Sequence, residues 1–189
     1  MASAGFWVGL AAAALVVVFL LYLWSKYNEF IRSENRIDNA WAQIDVQLQR
    51  RAELIPNLME TVKGYMKHER EVLENVTKAR AALMGAGSPQ AKMQAEGLLE
   101  SALGRLFAVA EAYPDLKANT NFLQFQDELA HTENKISFAR QAYNDAVLNY
   151  NNAVETFPGN IIAGMTGRKE KAMLQVPEAV RAVPKVSFA

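Results

Sequence analysis

Three sets of residues in this sequence have types and spacings that could do chemistry. Glu128 and His131 form a Glu-x-x-His, the spacing that places two metal ligands on one helix face. A ferritin-like di-iron site needs two such pairs and two further Glu from four helices. The other histidine, His68, has Tyr65 rather than Glu three residues before it. Solvated side chains are therefore the better account, and no metal is expected. The second set would serve acid–base chemistry. Glu69 falls on a predicted apolar stripe between Val62 and Val76, and Asp45, Arg80, Glu133 and Arg140 flank similar stripes. A carboxyl in such a seam would keep its proton to higher pH and could act as an acid. Buried ion pairs that fix helix register explain the same pattern without catalysis. No Ser–His–Asp ordering, phosphate loop or paired-carboxylate motif favours an enzyme. There is no cysteine, so thiolate nucleophiles, thiolate zinc sites, iron–sulfur clusters and disulfides are excluded. The third set would serve recognition: Arg50, Arg51, Glu53 and Asn57 near Pro56, with Tyr113, Asp115 and Lys117 around Pro114. They put charge, an aromatic ring and two prolines at predicted turns, where loops on a rigid scaffold commonly bind partners.

The elements that must position these residues are helices. Apolar residues recur at three-and-four spacing along Phe30, Ile37, Ile44, Leu48 and Ile55, then Leu58, Val62, Tyr65, Val72, Val76, Ala79 and Leu83. Ala95, Leu98, Ala102, Leu106 and Val109 form a third stripe, and Phe122, Leu129, Ile136, Tyr143, Tyr150 and Phe157 sit seven apart on a fourth. Such spacing signals near-parallel helix packing. No stretch alternates with period two, so no sheet is expected. The Tyr/Phe stripe reads as core facing small Ala positions, and no cofactor is expected. Pro56 is predicted to open a new helix, because proline in a helix interior costs about 3 kcal/mol but suits a first turn. Ser88 and Pro89 read as an N-cap and first helical residue. Tyr113-Pro114-Asp115 breaks the chain again, Asn119 or Thr120 can cap the next helix, and Pro158-Gly159 stops the last one. The expected fold is all-α: an N-terminal transmembrane helix, then helices over 26–54, 57–84, 89–112 and 119–157 in an up-and-down antiparallel four-helix bundle. One kinked helix through Pro56 is the alternative. In the four-helix version the turns at 51–57 and 112–119 meet at a tip far from the membrane.

Residues Gly5 to Trp24 carry no charge, and about 20 such residues span the ~30 Å bilayer core as a helix. Trp7, Tyr22 and Trp24 stand near its ends, as interfacial aromatics do. No Lys or Arg precedes the run and no small-x-small site follows it, unlike a signal peptide. Lys26, Arg32 and Arg36 follow it, so the positive-inside rule puts the N-terminus outside and the rest in the cytoplasm. Gly5, Gly9 and the alanines at 11–14 offer small surfaces for helix association in lipid. The expected parts are a tail at 1–4, the span at 5–25, a helical bundle at 26–158 and a membrane-proximal tail at 159–189. In that tail Ile161, Ile162 and Met165 precede Arg168, Lys169 and Lys171. Each basic residue beside an anionic leaflet contributes about 1 kcal/mol, so these six residues are expected to form a second membrane contact. Lys+Arg and Asp+Glu both number 20, which argues against nucleic acid as a partner.

Longer segments carry a resemblance. They are A-W-A-Q-I-D-V-Q-L-Q-R-R at 40–51, L-I-P-N-L at 54–58, V-K-G-Y-M-K-H-E at 62–69, E-A-Y-P-D-L-K-A-N at 111–119, N-F-L-Q-F-Q-D-E-L at 121–129 and A-R-Q-A-Y-N-D-A-V at 139–147. With Y-N at Tyr27, and Y-N-N at 150–152 followed by F-P at 157–158, the sequence resembles the LemA family of bacterial membrane proteins from about Tyr27 to Ala163. The resemblance implies an N-terminal anchor with a helical bundle in the bacterial inner membrane, and the family has no established catalytic residues to carry over. One branch of that family sits in magnetosome membranes and others are linked to envelope integrity. His131 departs from the family pattern, which more usually has a small residue there. The tail after Gly167 is outside the resemblance. The expected function is a non-enzymatic scaffold or adaptor, assembling with itself or another membrane protein in the lipid bilayer and supporting the cell envelope. The alternatives are a metal-binding or acid–base enzyme built on Glu69, Glu128 and His131, and an envelope stress sensor acting through the tip.

Overall fold

A computed structural model describes residues 4–175. The elements are α1 (Ala4–Lys63), α2 (Arg70–Gly85), α3 (Pro89–Ala110), α4 (Pro114–Lys117), α5 (Thr120–Glu155) and α6 (Gly159–Thr166). The described residues contain no strand. The part of the expected tail from residue 176 onward, and the first three residues, lie outside them.

One expected boundary moves. Pro56 does not start a helix; it lies inside α1. Proline has no N–H to give the carbonyl four residues back, here that of Ala52. Arg80 of α2 supplies the missing donor, its Nε bonding the Ala52 oxygen at 2.8 Å. Ile55 and Leu58 on either side are fully buried, so a turn here would expose them. The chain turns instead at 64–69, where the Val62 carbonyl accepts the N–H groups of Tyr65 (3.0 Å) and Met66 (2.9 Å). Elsewhere the sequence signals place the ends well. The Ser88 hydroxyl accepts the Ala91 N–H at 3.2 Å, with Pro89 leading α3, and Asn119 Oδ1 accepts the Phe122 N–H at the start of α5.

The chain divides into two compact units. One holds Ala40–Ala142 and the described residues from Leu174, and so takes in α1 from residue 40, all of α2, α3 and α4, and α5 up to residue 142. Ile44, Leu48, Val76, Leu83, Leu99, Leu106, Leu116, Phe122 and Ile136 form its core. Phe107 and Phe122 meet edge to face at 5.9 Å. The buried stripe of α3 is turned from the expected one: Leu98 is 61% exposed while Leu99 is fully buried. Ala102 and Leu106 fit either stripe, and the one that forms carries Glu96 inward with Leu103 and Ala110.

The other unit joins the described residues up to Asn39 with Tyr143–Met173. Phe30, Ile37, Val147, Tyr150, Ile162 and Ala163 are buried there, and the Phe30 and Tyr150 rings meet edge to face at 6.2 Å. A Cβ on Gly159 would collide with the Ala153 carbonyl, so only glycine lets α6 turn back so closely on α5. Gly167, at φ 69°, ends α6 in the left-handed region, and the Arg168 N–H reaches back to the Ala163 carbonyl at 2.9 Å, a helix stop that favours glycine. The N-terminal part of α1 is long and apolar enough to cross a membrane, and none of that stretch is buried.

The proline repair predicts a coupling between Pro56 and Arg80. Arg80→Met should cost about 1–3 kcal/mol, the price of an unsatisfied buried acceptor. It should cost clearly less in a Pro56→Ala background, where residue 56 can bond the Ala52 carbonyl itself. Denaturant unfolding of the four proteins in detergent measures this coupling; equal costs in both backgrounds would place the role of Arg80 elsewhere.

Candidate functional site

Four charged side chains close on one another inside the unit built around Ala40–Ala142. Arg51 on α1 and Glu96 on α3 are 4% and 1% exposed. Arg51 Nη1 donates to Glu96 Oε1 at 2.8 Å and also to Glu133 Oε2 on α5. Arg140, two turns further along α5, gives Nη2 to the other Glu96 oxygen at 3.2 Å. Glu96, Glu100 and Glu133 each offer an oxygen within 4.8 Å of the others. Burial pushes the Glu96 carboxyl up to about 7, the neighbouring carboxylates Glu133 and Glu100 push the same way, and Arg51 and Arg140 oppose them. Burial, the largest cause, sets the direction, and the charge count is compatible with it. Two guanidinium groups balance Glu133 and Glu100, so a neutral Glu96 leaves the cluster even.

A metal held by these carboxylates would compete with the guanidinium groups for Glu96 and Glu133. Both Glu96 oxygens and one Glu133 oxygen are committed to arginine. Arg51 Nε and Arg140 Nε are buried without a hydrogen-bond partner among the described residues, a cost of about 1–3 kcal/mol each in general. The cluster thus ties α1, α3 and α5 in one register by ion pairs that an apolar core would not require. Two more pairs support it from outside: Lys92 with Asp45, and Arg50 with Glu128 at 3.1 Å.

The sequence-predicted residues fall into different places. Arg50, Arg51, Glu53 and Asn57 are not on a turn, because α1 continues through Pro56. Arg51 is buried, while Arg50, Glu53 and Asn57 lie exposed along the helix. Tyr113, Asp115 and Lys117 do sit on the segment between α3 and α5. Its partner is the 64–69 turn. Tyr113 Oη donates to Glu69 Oε1 at 3.1 Å, and Asn119 Nδ2 donates to Tyr65 Oη at 3.2 Å. Partial burial, and then the Glu69 bond, raise the Tyr113 phenol above its usual value. Glu69 is therefore a loop residue just before α2 rather than part of a helix stripe. Glu128 is paired with Arg50, and His131, 64% exposed, faces Asp127 at 3.6 Å. Glu69, Glu128 and His131 do not converge. Glu96 escaped the sequence reading, although its seven-residue spacing to Leu103 and Ala110 marks the stripe that is buried.

The tail residues also separate. Ile162 is buried and Arg168 turns inward, while Ile161, Met165 and Lys169 are exposed. Arg168 Nε bonds Glu34 at 3.2 Å, and its guanidinium lies over the Tyr27 and Phe30 rings at 4.9 and 5.4 Å. Tyr150 Oη donates to the same Glu34 oxygen at 3.3 Å. The Asn151 amide exchanges two 2.9 Å bonds with the Lys171 backbone, and the Lys171 ammonium sits over the Tyr150 ring. Residues 159–171 are thus fastened to their own unit.

Fold and site together define an all-helical protein with one exposed apolar N-terminal helix and a buried ion-pair cluster. The LemA family model matches residues 40–188, and the chain belongs to the LemA family. That match takes in the tail after Gly167, which the resemblance had left out. The chain is 29% identical over 166 residues to Protein LemA of Metamycoplasma hominis, covering 87% of this chain and 75% of that protein. It is 26% identical over 186 residues to Magnetosome protein MamQ 2 of Paramagnetospirillum magneticum, covering 85% and 68%. It is 24% identical over 180 residues to Magnetosome protein MamQ of Magnetospirillum gryphiswaldense, covering 82% and 66%.

The cluster generates two predictions. Arg51→Ala takes a partner from both Glu96 and Glu133, leaves buried Glu96 with Arg140 alone, and should cost about 3–5 kcal/mol, whereas the adjacent Arg50→Ala loses an exposed pair and should cost at most about 1 kcal/mol. Similar costs in thermal melts would show that Arg51 is not structural. Folded Glu96 also holds its proton more tightly than the unfolded chain, whose carboxyl titrates near 4.5. Its contribution is full below that pH and is lost as pH rises towards about 7. Between pH 5 and 8 the wild type should lose stability relative to Glu96→Gln by up to about 3 kcal/mol. A gap that does not change with pH would mean that Glu96 stays ionised throughout.

Proposed function

We propose that this protein is a single-pass, membrane-anchored helical scaffold or adaptor without catalytic activity. In this reading residues 5–25 cross the bacterial inner membrane with the N-terminus outside. Residues 26–158 form a cytoplasmic four-helix bundle and residues 159–189 a membrane-proximal tail, and the protein assembles with itself or with another membrane protein in maintaining the envelope. The observation that carries it is on α1: Phe6, Trp7, Val8, Leu10 and the run Leu15–Leu21 are all exposed, on the same helix that carries Arg51 into the buried cluster. A continuous apolar surface of this length calls for lipid. The cluster favours a structural over a catalytic role, because Glu96 and Glu133 are held by arginines. The positive flank at Lys26, Arg32 and Arg36 supports the orientation.

The lack of native cysteine makes the topology directly testable. With a membrane-impermeant maleimide on right-side-out vesicles, Ser3→Cys should label and Glu53→Cys should not. The opposite pattern would reverse the orientation, and recovery of the protein without membranes would remove the anchor. A photo-crosslinker at Asp115 in intact membranes should give either a ladder in multiples of the chain mass or a discrete foreign protein band. No protein product from Asp115 or from Glu53 would contradict the scaffold reading.

A further inference from the structure

Both ends of α6 meet Phe30 of α1, in the same compact unit. A Cβ on Gly159, the first residue of α6, would lie 3.7 Å from the Phe30 ring. Arg168, just past the end of α6, lies over Phe30 and Tyr27 and bonds Glu34. A helix of eight residues is about 12 Å long, so α6 lies across α1 rather than along it. At about 3.6 residues per turn it has three sides. Gly159, Ile162 and Ala163 form the buried one. Asn160 and Gly164 make one free edge, and Ile161 and Met165 make the other. Phe157, one turn before Ile161, continues the apolar edge. Phe157, Met165 and Ile161 are 80%, 77% and 54% exposed. The first two are the most exposed large apolar side chains among the described residues, ahead of any in the apolar run. Phe157 also ends a heptad stripe that is buried as far as Tyr150, yet it is left outside.

We propose that α6 lies flat on the bilayer surface and buries Phe157, Ile161 and Met165 among the lipid acyl chains beside the span. The proposal rests on the anchor reading and names the residues by which the membrane-proximal tail meets lipid. Two observations point to lipid as the occupant. Phe30 stands only about 9 Å along α1 from Trp24, where the uncharged run ends. A helix is roughly 10 Å across with its side chains, so an edge turned towards the span reaches the headgroup layer. Phe157 lines one cavity with Lys26 and Glu29, which puts the start of this edge on the span side of Phe30. The contact is apolar rather than ionic. Arg168 and Lys171 are engaged within the unit by Glu34 and the Tyr150 ring, whereas an interfacial helix inserts by its apolar side.

The test uses the full chain in phosphatidylcholine vesicles. The sequence has no cysteine, so an environment-sensitive fluorophore can be attached singly through Phe157→Cys, Ile161→Cys or Met165→Cys. Spin-labelled acyl chains should quench all three, and aqueous iodide should instead quench a fluorophore on Asn160→Cys at the polar edge. Salt or added phosphatidylglycerol should not change this pattern, because burial of apolar surface is not screened. Adding Ile161→Glu and Met165→Glu to Phe157→Cys should abolish its lipid quenching. Both positions are exposed, and circular dichroism confirms that this variant is folded. Iodide quenching at Ile161→Cys and Met165→Cys would place the edge in water. Protection from both quenchers would place it against protein. Lipid quenching that needs phosphatidylglycerol or disappears in salt would make the contact ionic. Any of these, or lipid quenching that survives the two glutamates, would overturn the proposal. Leu15→Cys, within the apolar run, separates it from the anchor reading. Lipid quenching there with none at Ile161→Cys or Met165→Cys overturns the proposal alone, and none at any position overturns both.

Discussion

The Ala52 carbonyl is a small point on which much of this protein turns. Pro56 has no N–H to give it, and a buried acceptor without a donor is costly. Arg80 reaches across from α2 and supplies the bond. With that donor in place α1 need not stop at the proline, and it runs on to Lys63. The consequences are local but large. The turn moves to 64–69, Arg51 goes inside instead of onto a loop, and Tyr65 and Glu69 become the residues that meet Asn119 and Tyr113.

The buried ion cluster is the second consequence. Once Arg51 faces the interior it must be answered, and Glu96 and Glu133 do so from two other helices. Ion pairs of this kind seldom stabilise a fold beyond what apolar side chains would provide. What they add is selectivity. Sliding any one of α1, α3 or α5 by a turn would leave a charge buried and alone, whereas Leu or Ala contacts would tolerate the slip. Burial, the largest cause, raises the Glu96 carboxyl inside this cluster, against the pull of the two arginines.

In the unit that holds the N-terminal part of α1, aromatic rings and one cation play the organising role. Tyr27 and Phe30 are one turn apart on α1 and form the surface under Arg168, while Glu34 takes both the guanidinium and the Tyr150 hydroxyl. Gly159 permits the tight return of α6 and Gly167 ends it. Basic residues that look from their composition like a lipid-binding strip are here divided. Arg168 and Lys171 are engaged within the unit and Lys169 is left to solvent.

Sequence by itself determined the helical class, the apolar N-terminal stretch, the ends of α3 and α5 and the family. Each of these is written in short-range signals: uncharged run length, three-and-four spacing, Ser88 before Pro89, and ordered motifs from about Tyr27 to Ala163. It also identified Glu133 and Arg140 as charges flanking an apolar stripe, but it put Arg51 on an exposed turn and did not foresee that Arg51 and Arg140 would share the Glu96 carboxylate. Glu96 was hidden because the α3 pattern fits two stripes about one residue apart, and local spacing cannot choose between them. Only the tertiary structure decided that choice, along with the path through Pro56 and the inward turn of Arg168. The reason is the same in each case. A proline's missing hydrogen bond, a helix's rotation and a cation's partner are settled by groups tens of residues away, and no local rule carries that information.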